Sequence, residues 1–195
     1  MALDAASIKS LREMTNAGMM DCKKALEEAG GDIDRAATIL REKGIVKAVK
    51  KMDREASEGS VISYVHHNKK LGVLLVLNCE TDFVAGNEVF QELGKNIAMH
   101  IAAMNPQYAK AEDVPQDVID QERETQHAAL KEEGKPENVI DKILEGKIKK
   151  FASEICLLEQ AYVKEQKMTI ADLIKESISK LGENISIGKF IRYEI

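Results

Sequence analysis

Apolar residues recur at helical spacing three times in the first 44 positions, and small or turn-forming residues end each run. Ile8, Leu11 and Met14 mark a first helix, which Asn16-Ala17-Gly18 breaks, two of these residues tolerating positive φ. A second helix runs from about Met19 to Ala29, with Ala25, Leu26 and Ala29 inward, and Gly30-Gly31 ends it. Asp32 is an N-cap for a third, whose Ile33, Ala36, Ala37 and Leu40 follow i, i+3, i+4, i+7, with Gly44 as its stop. Residues 1–44 thus read as a compact three-helix bundle of the ubiquitin-associated type. Residues 45–58 read as a separate linker helix, with Ile45, Val49, Met52 and Ala56 on one stripe and Lys47, Lys50, Lys51 and Arg54 on the other.

From Gly59 the period changes to two. Val61 to His66 alternates weakly, His67-Asn68-Lys69-Lys70 is a polar turn, and Leu71 to Leu77 is the paired strand, apolar on both faces and so expected to be central and covered on both sides. Asn87 caps a helix carrying Phe90, Leu93, Ile97, Ile101 and Met104, ended by Asn105-Pro106. About 115–151 the pattern is a helical hairpin. A charged arm (Gln116 to Glu133) turns at Gly134-Lys135-Pro136 into an arm with Ile140, Ile143, Leu144, Ile148 and Phe151 on one stripe. Such a hairpin either projects from the body or lies flat on the sheet; the polar first arm favours projection. Ile155 to Leu158 is a short apolar segment of moderate strand character. Thr169 caps a last helix with Ile170, Leu173, Ile174, Ile178 and Leu181, ended by Gly182. The final strand puts Ile185, Ile187, Ile191, Tyr193 and Ile195 on one parity, interrupted by Lys189, with Phe190 on the other. The fold class is α+β: bundle, linker helix, then over 59–195 a three-stranded antiparallel sheet (60–67, 71–78, 185–195) with flanking helices and the inserted hairpin. A sheet this small leaves edges and a face that a second copy commonly covers.

Composition narrows the function. With 195 residues the chain can bury a core without staples. A net charge of −5 argues against general affinity for nucleic acid or an anionic membrane, and leaves the basic stripe at 47–54 as a solvated linker face. The longest apolar run is too short for a membrane span, and Met1-Ala2-Leu3-Asp4 opens no secretory signal, so a cytoplasmic protein is expected. Cys22, Cys79 and Cys156 are odd in number and far apart, which suits reduced thiols and neither a zinc site nor a disulfide framework. Cys79 with His66 or His67 makes a thiol–imidazole pair only on paper. Cys79 continues an apolar strand, where a buried thiol is ordinary packing, and the two histidines alternate along a strand and point to opposite faces. The stretch from Gly182 to Lys189 is no phosphate loop: five residues separate its glycines, no Ser or Thr follows the Lys, and a strand follows instead of a helix. No metal, cofactor or covalent chemistry is expected.

One stretch stays open on these grounds. In Asn78-Cys79-Glu80-Thr81-Asp82-Phe83-Val84-Ala85 an aromatic residue stands at a strand-to-helix turn, either tucked into the core or held out for a partner. Met19 and Met20 pose the same choice at the start of the second helix.

Leu11 through Leu26 (LREMTNAGMMDCKKAL) closely resembles the N-terminal signature of the bacterial elongation factor Ts family. Asn78 through Ala85 resembles its second signature, and Gly182-Glu183-Asn184-Ile185 through Glu194 fits its last strand, so the likeness covers essentially the whole chain. Asn16 stands where Gly is usual, Ala161 where Gln-Pro-Phe is common, and Gly188-Lys189 where two basic residues are usual. The chain has one sheet subdomain where longer relatives have two, and the resemblance implies a homodimer in which a second copy replaces the missing one. It further implies a guanine-nucleotide exchange factor for elongation factor Tu, with no cofactor of its own. Arg12, Met19 and Met20 match positions that meet the partner's G domain. Thr81, Asp82, Phe83 and Val84 match the region that dislocates its Mg²⁺, with Phe83 as a wedge, and the hairpin is a lesser contact or a tether. The rival reading is a non-catalytic adaptor built on the same bundle.

Overall fold

A computed structural model describes residues 5–15 and 17–195; the turn expected at Asn16 and the first four residues lie outside them. The chain forms α1 (Ala5–Thr15), α2 (Met19–Glu28), α3 (Ile33–Val49), β1 (Glu58–Val65), β2 (Leu71–Cys79), the one-turn α4 (Asp82–Ala85) and α5 (Glu88–Met104). It continues with α6 (Gln116–Glu132), α7 (Glu137–Ile155), β3 (Ala161–Tyr162), β4 (Glu165–Thr169), α8 (Ile170–Leu181) and β5 (Ile185–Glu194). The fold is α+β. The three long strands form an antiparallel sheet in the order β1-β2-β5, which makes β2 central as its apolar run requires, and β3 pairs with β4 in a separate two-stranded sheet. Two compact units emerge. One comprises the chain up to Ile62, Leu75–Lys95 and Asp172–Gly188; the other comprises Ser63–Leu74, Asn96–Ala171 and Lys189–Ile195.

In the first unit, Leu11, Cys22, Ala25, Leu26, Ala29 and Ala36 make the core of the helical bundle, with Ile8, Ile33, Ala37, Ile39 and Leu40 packed against it. The small residues let three short helices approach closely, and Asp32 caps α3 by accepting the Arg35 N–H at 3.0 Å. Gly44 does not stop α3. The helix runs on to Val49, and Gly44 is buried against Ser179 of α8, whose hydroxyl a Cβ there would strike. The glycine serves close approach, and Arg41 fixes the same approach through Glu176 at 2.5 Å. The linker helix expected over 45–58 is therefore the end of α3 followed by a turn. Ala48 is buried, while Val49 and Met52 are exposed. Its basic face is engaged: Lys47 pairs with Asp21 at 3.0 Å, Lys51 donates to the Gly182 carbonyl at 2.5 Å, and Arg54 lies 3.6 Å from Glu80.

Strand β2 buries Val73, Leu75, Leu77 and Cys79, but Leu74, on the alternate parity, is half exposed. The alternate parity is covered only in part, Val76 and Asn78 being half-buried. The parity expected to unify β5 divides likewise: Ile185 is buried, whereas Ile191, Tyr193 and Ile195 are exposed.

In the second unit, α6 and α7 form the expected hairpin, burying Leu130, Ile140 and Leu144. The segment at 155–158 is not a strand. α7 ends at Ile155, Cys156 bridges to Tyr108, and Leu157–Glu159 is a 3-10 turn. The β3–β4 pair that follows leaves no trace in the periodicity. Nor do His66 and His67 point apart: β1 ends at Val65, the chain turns, and the two rings lie 4.2 Å from centroid to centroid.

His100, fully buried on α5, ties this unit together. Its Nδ1 accepts the Val163 N–H at 3.2 Å, so its proton sits on Nε2, which donates to Gln160 Oε1 at 2.9 Å. Gln160 in turn donates to the Glu154 carbonyl at 2.6 Å. Burial lowers the His100 pKa below its ordinary 6.5, against a smaller upward pull from Gln160. The unfolded chain therefore takes up this proton before the folded chain does. Stability that is present above about pH 6.5 is lost as the pH falls from there toward the folded-state value. Urea midpoints measured across that window should fall more steeply for the wild type than for His100→Gln; parallel slopes would remove His100 from the acid response.

Candidate partner-binding surfaces

The stretch 78–85 is built as a clamp with an open centre. Burial of β2 carries the chain to Cys79, whose thiol donates to the Thr81 carbonyl at 3.1 Å. Thr81 gives both its N–H (3.0 Å) and its hydroxyl (2.8 Å) to the Glu183 carboxylate, 102 residues away, and its Oγ1 accepts the Val84 N–H at 3.4 Å as the N-cap of α4. At the other end, Gln91 Nε2 donates to the Ala85 carbonyl at 2.6 Å and Ser60 Oγ donates to it at 3.3 Å. Ala85 is buried and Val84 half-buried; Asp82 and Phe83, between the fixed ends, are exposed, Phe83 at 86%. The choice left open by sequence resolves toward display.

A reciprocal set braces the clamp. Glu80 accepts the Asn184 N–H at 2.6 Å, and the Asn184 amide donates to the carbonyls of Arg54 (2.6 Å) and Met52 (3.1 Å). Cys79 is a buried free thiol. Burial, and after it the nearby Glu183 carboxylate, push its thiol pKa up, away from the thiolate that chemistry needs. Sequence reasoning gives Glu183, Asn184 and Gln91 no role at the site, since no local pattern reveals that Glu183 and Asn184 have partners a hundred residues distant.

The helical bundle of the same unit carries the second candidate surface. Arg12 is exposed on α1, and Met19 and Met20 at the start of α2 are 61% and 64% exposed, with Met14 beside the α1 end at 59%. Adjacent positions on one helix usually divide between core and solvent. Here both methionines face out, because α2 buries Cys22, Ala25 and Leu26 instead. The structure thus places Arg12, Met19, Met20, Thr81, Asp82, Phe83 and Val84 in one unit, each of them exposed or half-buried.

Displayed apolar side chains on a braced frame suit contact with another protein. The Elongation factor TS family model matches residues 2–195. The chain is 55% identical to proteins named Elongation factor Ts from Thermosipho melanesiensis (193 residues, 99% of this chain and 98% of that protein) and Fervidobacterium nodosum (195 residues, 100% and 99%). It is also 55% identical to that of Nitratidesulfovibrio vulgaris over 195 residues (100% and 98%). The chain belongs to the elongation factor Ts family, and its role lies in translation elongation. No helix among the described residues is long and apolar enough to cross a membrane.

Proposed function

We propose that the chain is a guanine-nucleotide exchange factor for elongation factor Tu. The observation that carries this reading is Phe83, a rigid aromatic displayed at 86% exposure from a turn anchored at both ends. Arg12, Met19 and Met20 dock on the partner's G domain, the methionines supplying adaptable apolar contact. Thr81, Asp82, Phe83 and Val84 then reach the partner's Mg²⁺ region, where Phe83 enters a small pocket with little entropy to lose. Displacing the partner's Mg²⁺ removes charge that holds the phosphates, and GDP leaves. By linkage, GDP weakens the factor's own binding by the same ratio. The chain does no covalent chemistry and holds no cofactor; a cytoplasmic location and the absence of nucleic-acid contact belong to the same reading. Stopped-flow release of labelled GDP from elongation factor Tu tests it: release should accelerate with added chain, and an unaltered rate sinks the proposal.

The same proposal includes a homodimer. In the second unit Val65, Leu74, Ile191 and Tyr193 stand 43–69% exposed. Leu74 alternates with buried Val73 and Leu75. Ile191 and Tyr193 flank Arg192, which turns in to donate to the Ala102 carbonyl at 3.1 Å. An apolar strand surface of this kind suits a second copy. Leu74→Lys should shift the chain from dimer to monomer in light scattering, weakening association by roughly 2 kcal/mol or more. A wild-type chain that is monomeric at all concentrations removes the dimer without touching the exchange reading.

A further inference from the structure

We infer that Glu183 is a positioning residue for nucleotide exchange: its carboxylate, taking both hydrogens that Thr81 offers, fixes the one-turn helix that displays Phe83. The inference rests on the exchange reading above and extends it to a residue outside the 78–85 stretch.

Four residues of helix do not hold themselves, since a single turn fixes many dihedrals for little hydrogen bonding. The 82–85 turn therefore depends on its anchors. Its C-terminal carbonyl is held by Gln91 and Ser60, and its N-terminal anchor is Thr81. A threonine hydroxyl has one hydrogen. Because Glu183 Oε1 takes it at 2.8 Å, a lone pair of Oγ1 is left facing the Val84 N–H, the N-cap bond. The other carboxylate oxygen takes the Thr81 N–H at 3.0 Å, so the backbone and side chain of Thr81 are set together by one rigid, charged acceptor.

The acceptor is itself fixed. Lys51 holds the Gly182 carbonyl immediately before Glu183. Asn184, immediately after, is buried and bonded to Glu80 and to the carbonyls of Met52 and Arg54. Glu80 and Glu183 thus each close the other's strand end. Phe83 has no comparable support of its own, being 86% exposed. A ring this exposed enters a pocket at low entropic cost only if its backbone is set beforehand, and Glu183 sets it.

The test is stimulated release of labelled GDP from elongation factor Tu, using the full chain as wild type, Phe83→Ala, Glu183→Ala, Glu183→Gln and the Phe83→Ala/Glu183→Ala double variant. Glu183→Ala should lower the maximal release rate about ten-fold, with the half-saturating concentration nearly unchanged because the bundle still docks. Glu183→Gln should fall between, its amide oxygen replacing one of the two acceptors. In the Phe83→Ala background Glu183→Ala should cost nothing further, which a general loss of stability would not reproduce. A wild-type rate for Glu183→Ala alongside a slow Phe83→Ala overturns the inference and leaves the exchange reading standing; so does a full additional loss in the double variant. If the wild type itself fails to accelerate release, the exchange reading and this inference fall together. If Glu183→Ala folds poorly, amide hydrogen exchange in Glu183→Gln decides. The Val84 and Ala85 amides should exchange about ten-fold faster, and unchanged protection overturns the positioning role.

Discussion

Phe83→Ala should slow stimulated GDP release by roughly 30-fold, the rate equivalent of about 2 kcal/mol at an aromatic hot spot. The same substitution should leave folding stability within about 0.5 kcal/mol of wild type, because the ring is 86% exposed and its removal opens no cavity. That separation makes the result interpretable: a core phenylalanine would do the opposite. Phe90, fully buried on α5, is the internal comparison, and its truncation should cost about 3–5 kcal/mol of stability. Met20→Ala supplies the third arm. It removes apolar contact at the proposed docking surface, so it should raise the half-saturating concentration of the factor while sparing the maximal rate. Stopped-flow release over a range of factor concentrations reads both quantities. A wild-type maximal rate for Phe83→Ala would show that nucleotide release does not use this ring.

What is legible in the sequence follows from the range over which each signal acts. The bundle is readable because Ile8 and Leu11, then Ala25, Leu26 and Ala29, then Ile33, Ala36, Ala37 and Leu40 recur at helical spacing between explicit breaks, and each helix needs only its own residues to declare itself. Gly44 misleads for the complementary reason. A glycine after a periodic run looks like a stop whether it ends a helix or admits a neighbour, and its neighbour, Ser179, lies 135 positions on. The β3–β4 pair stays hidden because Glu165-Gln166-Lys167 is polar throughout, leaving Tyr162 and Met168 as isolated buried positions with no alternation between them. The 78–85 stretch lies between these cases. Its strand and its turn are readable from local pattern, whereas the direction of Phe83 is not. That direction depends on Glu183, Gln91 and Ser60, three side chains from three other segments. The family likeness points to the residues; the clamp supplies the physical reason that a phenylalanine can stand in solvent there.

Gly59→Ala should be the most damaging single-methyl change in the first unit. Gly59 sits at φ +152°, and a Cβ there would fall on the Leu77 carbonyl oxygen and lie 2.8 Å from Asn78 Cα. Both obstacles are backbone, so no rotamer change relieves them, and β1 and β2 would have to part at the last residues before the clamp. Strain and overpacking together amount to about 3 kcal/mol or more. For a chain of this length that corresponds to a fall in Tm of about 6–12 °C by circular dichroism. Gly146→Ala is the matched control. It lies within α7, where an added methyl would have nothing within 4 Å, so the change should stabilise by about 0.5–1 kcal/mol through helix propensity alone. Opposite signs from the same added atom would locate the effect in strand spacing. An unchanged Tm for Gly59→Ala would mean that β1 yields to the added methyl without cost. Because Thr81 follows β2 by two residues, a parted strand pair should also slow exchange, and it should do so at temperatures where the bundle remains folded.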